Sequence, residues 1–231
     1  MPVFHSSLTG TRLSTAQSVA FQARQCLAVA SGKLGKFPLD SSGKAVFERW
    51  FGSARVVTDL TRVQNVISKM SHALNNTKFT ISDCKGTCGA TTNAQAHKLL
   101  LQDSSGTQQR GKAVSYNTLN TATWIEMDLC DNFFDGLPRI QSNDQTQLET
   151  FLHELSHLAA GTEDELYLGS EAYGRTAAMG LASNPNTISL ARNNAENYGF
   201  FIVEAGEQTA VHSAKVGGKW ATVQTTPRVT I

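Results

Sequence analysis

The sequence predicts an α+β fold, mainly helical with a small twisted sheet. Three observations point there. Apolar residues recur at helical spacing toward both ends of the chain, and strand-like segments with Gly-, Ser- and Thr-rich connections lie between them. The third is size and composition: 231 residues, 40% hydrophobic and 17% charged, can bury a substantial core and suit neither disorder nor a coiled coil. Twenty Lys and Arg against nineteen Asp and Glu give a net charge of +1 without runs of one sign, so the basic footprint of a nucleic-acid binder is missing. No apolar stretch is long enough for a membrane span, and no internal repeat is visible.

The first helix is expected over Ser14–Ala30, where Val19, Ala20, Ala23, Leu27 and Ala30 share a face and Gly32 offers a stop. A short helix follows over Lys44–Phe51, and a longer one over Thr58–Leu74 carries Leu60, Val63, Ile67, Met70 and Leu74 at helical spacing. Strands are expected over Lys78–Ser82, Lys98–Gln102 and Thr121–Leu129. Three helical segments come next, at 144–160, 170–183 and 187–204, with Asn184-Pro185 as a break. The tail from Val211 to Ile231 reads as a hairpin turning at Gly217-Gly218, so the division is a domain over residues 1–205 and an extension over 206–231.

The chemistry lies in His153-Glu154-Leu155-Ser156-His157. Residues four apart on a helix project from one face, so both imidazoles can reach one metal ion, zinc by preference. Glu154, one step round, can take a proton from a water at that ion. Leu148, Phe151, Leu152, Leu155 and Leu158 form the apolar stripe, Thr146 and Glu149 suit a capping box, and Gly161 suits the helix end. Chance would place such a motif on an ordinary amphipathic helix in roughly one of a hundred chains of this composition. A catalytic zinc needs a third protein ligand and an open position. No third histidine follows at close spacing, so a carboxylate must serve, and by spacing alone Glu163, Asp164 and Glu165 are equal candidates. His5, His72, His97 and His212 have no partners at ligand spacing.

Four cysteines, Cys26, Cys84, Cys88 and Cys130, suggest two disulfides and an oxidising, extracellular destination; a metal site on Cys84-x-x-x-Cys88 is the alternative. Met1–Leu13 carries no signal-peptide pattern. A secreted product therefore implies a leader already removed or export by a non-standard route.

His153–His157 followed by Gly161-Thr162-Glu163-Asp164 resembles the deuterolysin and peptidyl-lysine metalloendopeptidase family, the aspzincins. Trp50-Phe51-Gly52, Leu129-Cys130 with Phe133-Phe134, Tyr173-Gly174-Arg175-Thr176-Ala177-Ala178 and Asn193-Asn194-Ala195-Glu196-Asn197-Tyr198 are similar to further stretches of that family. The resemblance spans about residues 45–204.

It implies a zincin-like metalloprotease fold and a Zn2+ cofactor held by His153, His157 and Asp164. Glu154 would be the general base and then acid, and a tyrosine would stabilise the oxyanion. The family's tyrosine stands three residues beyond the aspartate and precedes a glycine. Tyr167 has the spacing but is followed by Leu168, whereas Tyr173 has the glycine after six extra residues, which favours Tyr173 with an insertion before it. Lysine-selective members read the residue after the cut with two acids. Here the positions are Glu196 and Gly199, which implies a weakened preference for Lys or Arg; the plain alternative for Glu196 is a solvated helix face. The family also implies Cys26–Cys84 and Cys88–Cys130 pairing. The expected protein is thus a monomeric zinc endopeptidase acting on proteins or peptides. Alternatives are a secreted toxin or effector protease with one narrow target, and an inactive zinc-stabilised binding module, against which the intact Glu154 argues.

Overall fold

A computed structural model describes residues 1–35, 37–53, 57–75, 78–84, 88–99, 124–138, 145–207, 211–216 and 219–224. In chain order the elements are β1 (Val3–Phe4), α1 (Gly10–Lys33), α2 (Ser41–Phe51), α3 (Val57–Leu74), β2 (Phe79–Asp83), β3 (Ala94–Leu99), β4 (Trp124–Leu129) and α4 (Asp131–Asp135). They continue with α5 (Gln147–Ala160), β5 (Leu166–Tyr167), β6 (Ser170–Glu171), α6 (Arg175–Ser183), α7 (Ile188–Ala191), α8 (Ala195–Glu207), β7 (Val211–Val216) and β8 (Lys219–Gln224). The architecture is α+β.

One sheet has the order β1-β2-β4-β3, with β1, β2 and β4 parallel and β3 antiparallel at the edge. Ile81, Ile125, Met127 and Leu129 turn one face of it into the core, while Ser82, Glu126 and Asp128 alternate to the other. Beneath the apolar face, α5 packs against α8, α3 and α1, so the central helix of the fold is the one that carries the two histidines of the metal motif. Phe79 of β2 meets Phe151 of α5 at 6.4 Å between ring centroids, and Leu148, Leu152, Leu155 and Leu158 are all buried in the same core. The apolar stripe read from the sequence is therefore the face that anchors α5.

The Trp50-Phe51-Gly52 and Asn193–Tyr198 stretches meet in space. Asn197 is fully buried; its Nδ2 donates to the carbonyls of Trp50 (2.6 Å) and Ala178 (2.9 Å), and its Oδ1 accepts from Asn194 Nδ2 (2.7 Å). Trp50 stacks on Phe200 at 5.0 Å, and the Tyr198 hydroxyl donates to the Arg192 carbonyl. These contacts tie α2, α6 and α8 into one unit behind α5. Buried polar groups satisfied in this way fix a single arrangement more strictly than apolar contact does.

Several boundaries differ from the sequence expectation. Helix α1 runs past Gly32 at its end and starts earlier. Strand β3 lies at 94–99 and overlaps the expected Lys98–Gln102 only at its end, residues 100–102 lying outside the described residues. The segment expected as a helix from 170 begins with β6 and enters α6 only after Gly174. The expected helix over 187–204 is two, because Asn193 and Asn194 leave the helical path and spend their side chains on Glu165 and Asn197. β1 and α4 were not expected; a two-residue strand and a five-residue helix are too short to show a period. The tail strands β7 and β8 pair antiparallel, and the expected turn at Gly217-Gly218 lies outside the described residues.

The cysteines are arranged differently from the family pairing. Cys84 N donates to the Leu129 carbonyl, which sets the end of β2 beside Cys130 at the end of β4, and Cys88 lies within bonding reach of both sulfurs. Cys26 belongs to another region: on α1, its sulfur packs against Gly206 of α8. The expected Cys26–Cys84 bond is corrected accordingly, since the two residues sit in different layers.

Candidate active site

Helix α5 begins at a capped end, where Thr146 Oγ1 accepts from Glu149 N at 3.1 Å, and it ends on Gly161 in the left-handed conformation (φ 68, ψ 36). Immediately beyond, Thr162 is fastened back onto the helix. Its hydroxyl meets that of Ser156 at 2.6 Å, and its carbonyl accepts from His157 Nδ1 at 2.6 Å. The following strand of chain is held from the other side. Glu163 N donates to Asn193 O, Ala195 N donates to Glu163 O, Glu165 N donates to Asn194 Oδ1, and Asn193 Nδ2 donates to Glu165 Oε1. Between these fixed points Asp164 points at the histidines. Of the three acids that spacing left equal, Asp164 is the one brought to them, while the Glu165 carboxylate is bound to Asn193.

His153 and His157 stand with ring centroids 4.7 Å apart and planes at 80°. Their Nε2 atoms are 3.0 Å apart, and Asp164 Oδ1 lies 3.2 Å from the first and 3.3 Å from the second. The other ring nitrogens define the tautomers. His153 Nδ1 faces the Glu196 carboxylate at 2.8 Å and His157 Nδ1 faces a carbonyl, so both protons sit on Nδ1. Both Nε2 atoms then present lone pairs to a buried carboxylate oxygen to which, among the described residues, no hydrogen bond of good geometry is made. Three such atoms converging need a shared cation, either a metal ion or the proton that otherwise raises the His153 pKa. A zinc ion about 2.0–2.1 Å from its nitrogen and oxygen ligands holds them about 3.3–3.4 Å apart in a tetrahedron, close to the spacing found. The site fits zinc.

The charges around the site follow from this packing. Burial disfavours the His153 cation, but hydrogen bonding to Asp164 and Glu196 outweighs it and holds the pKa well above the usual histidine value. Burial works against ionised Asp164 as well, and the two histidines overcome it and hold the carboxyl below the usual range. For Glu154 burial dominates and raises the pKa, with both histidines partly offsetting it.

The two tyrosine candidates separate. Tyr173 is half-exposed with its ring centroid 5.9 Å from that of His153, and burial together with Asp164 raises its pKa, keeping the hydroxyl protonated. Tyr167 turns the other way, into a small cluster with Ala172, Leu181, Ala182 and Ala191, its ring against Gly180. Its candidacy is therefore corrected. The six extra residues form the β5–β6 hairpin, turning at Leu168 (φ 53) and Gly169 (φ 88).

The substrate pocket expected on α8 is also corrected. Glu196 is 1% exposed, with Oε2 on His153 Nδ1 and Oε1 accepting from Gly174 N at 2.6 Å. It is not on a solvated face, and both its oxygens are engaged inside the protein. Gly199 faces α5: a Cβ there would run into Glu149 Oε1 and come within 3.1 Å of the Glu149 carbonyl. Glu149 itself is buried, its carboxylate within 4.8 Å of His153 and Glu196 ligand atoms. Sequence reasoning placed Glu149 only in a capping box. Its position four residues before His153, on the same helical stripe, was the available signal. Ser156 and Thr162, which dock the loop, carried none.

A model of the family described as lysine-specific metallo-endopeptidase, the aspzincins, matches residues 38–203. The chain belongs to the aspzincin family. As an aspzincin it is a metalloendopeptidase, a hydrolase whose substrates are proteins or peptides. A solved zinc peptidase from Grifola frondosa shares its fold, with a TM-score of 0.57 at 21% identity over 85% of this chain and 96% of that one. No curated protein matches the sequence. Among the described residues, no helix of this aspzincin is long and apolar enough to cross a membrane.

Proposed function

We propose that this aspzincin is a zinc endopeptidase in which His153, His157 and Asp164 hold the metal, Glu154 is the general base and acid, and Tyr173 is the oxyanion donor. The observation that carries the reading is the convergence of two imidazole lone pairs and one carboxylate oxygen at 3.0–3.3 Å with both histidine protons engaged elsewhere. Zinc bound there supplies Lewis acidity, lowering the pKa of water and polarising the scissile carbonyl.

The chain's own residues do the rest. Glu154, raised in pKa by burial, accepts the proton of the attacking water and returns it to the departing amine. Tyr173, kept protonated, donates its hydroxyl to the carbonyl oxygen as negative charge develops there. Among the described residues, edge strand β3 has β4 on one side and no strand on the other, an edge that suits an extended peptide as an added antiparallel strand. With Glu196 committed to His153, any Lys or Arg preference after the cut rests on exposed acids next to site residues in the chain, such as Glu163 beside Asp164 and Glu171 two residues before Tyr173. We assign catalysis to residues 1–205 of a secreted monomer and treat the hairpin as an appended element, although the boundary falls within the last turn of α8.

The test is digestion of a mixed peptide library by the zinc-loaded protein and by Glu154→Gln, reading new N-termini by mass spectrometry. Cuts by the wild type alone, with zinc retained in the variant, are expected. Equal cutting by the two proteins would remove Glu154 from the mechanism.

A further inference from the structure

We propose that Glu196 is a positioning residue, a buried strut that joins the zinc ligand His153 to the Tyr173-Gly174 turn and so sets both metal affinity and the placement of the oxyanion donor. The inference rests on the zinc-peptidase reading above. Both carboxylate oxygens are engaged, in different directions: Oε2 lies 2.8 Å from His153 Nδ1, and Oε1 accepts from Gly174 N at 2.6 Å.

The first contact fixes the His153 tautomer and ring orientation. A carboxylate behind a metal-bound imidazole strengthens it as a ligand, and its loss costs about 10–100-fold in metal affinity or activity. The second contact captures the N–H of the residue that follows Tyr173. Gly174 has φ 79, a conformation that favours glycine, so the turn that aims Tyr173 is closed by backbone shape on one side and by Glu196 on the other.

The foot of the strut is rigid. Glu196 lies in the first turn of α8, and its neighbour Asn197 is pinned to the carbonyls of Trp50 and Ala178. A helix N-terminus favours a carboxylate in this place. The family resemblance puts an acid here to read the substrate; this chain has a longer acid, buried at 1% exposure and turned toward the metal ligand.

The experiment uses the full chain with Glu196→Gln, which keeps the shape but offers one acceptor oxygen to two donors, His153 Nδ1–H and Gly174 N–H. Zinc affinity is read by competition with a chromophoric chelator, folding by circular dichroism, and kcat and KM at saturating zinc. The expected result is a 10–100-fold loss of zinc affinity, a lower kcat with KM little changed, and the same residue preference after the cut. Glu196→Gln and Tyr173→Phe should also combine less than additively in kcat, because each removes part of one arrangement. Glu196→Asp, too short to span both contacts, is read in the same assays should the Gln variant not fold. Wild-type zinc affinity in these variants, or a changed cleavage preference with affinity intact, would overturn the proposal. His153→Ala separates the two levels: if it abolishes zinc binding and Glu196→Gln does not, only the strut fails, whereas zinc binding unaffected by His153→Ala removes the metal-site reading itself.

Discussion

Replacing Gly199 by alanine distinguishes sharply between a substrate pocket and a packed helix contact. An alanine Cβ at this position would run into Glu149 Oε1 and lie 3.1 Å from the Glu149 backbone oxygen. The side chain could shift, but it is 1% exposed and stands beside His153 and Glu196; the backbone oxygen belongs to α5 and cannot move alone. Overpacking of this kind costs about 1–3 kcal/mol. Relief of the glycine penalty inside a helix returns about 1 kcal/mol. The net expectation is a destabilisation of about 0–2 kcal/mol, with a central value near 1 kcal/mol. With an m-value of about 2–3 kcal/mol/M, the urea midpoint should fall by roughly half a molar at unchanged slope. The assay is urea unfolding of the zinc-saturated protein followed by circular dichroism. A midpoint equal to or above that of the wild type, accompanied by a new residue preference in peptide cleavage, would refute the packing argument and return Gly199 to the pocket.

Two further expectations follow from the loop after the metal motif. Tyr173→Phe should lower kcat by about 10²–10³-fold, as loss of an oxyanion donor does, while Tyr167→Phe should leave peptidase kinetics near the wild type; the reverse pattern in steady-state assays would reassign the donor. Leu168 is 88% exposed with φ 53 in the two-residue turn of the β5–β6 hairpin, so Leu168→Asn should raise stability by about 1 kcal/mol, and a lower urea midpoint would show that Leu168 makes a contact that matters.

The histidine pair and its helix were legible because their signals are local. A spacing of four residues places two side chains on one helical face whatever surrounds them, and Thr146 and Gly161 end the helix by short-range hydrogen bonding and backbone conformation. The apolar stripe of α5, the helix over Val57–Leu74 and the hairpin of the tail were visible on the same grounds. The direction of a side chain on a loop has no such determinant. Asp164 was separated from Glu163 and Glu165 only by the grip of Asn193 and Asn194 on the chain around it, from nearly thirty residues away. Tyr173 and Tyr167 exchanged neither composition nor period; a hairpin between them turned one toward His153 and the other into packing against Gly180.

The same limit explains Glu196 and Gly199. Read along α8, an acid in the first turn suggests a surface or a pocket, and a glycine three residues on suggests a missing acid. Only the packing of α8 against α5 shows that this face looks inward, so the carboxylate reaches His153 and the glycine makes room for Glu149. Backbone periodicity, set by hydrogen bonds a few residues long, decided which residues share a face. Which face meets which partner was decided by burial and by side-chain hydrogen bonds between residues far apart in the chain, and that information exists only once the chain has folded.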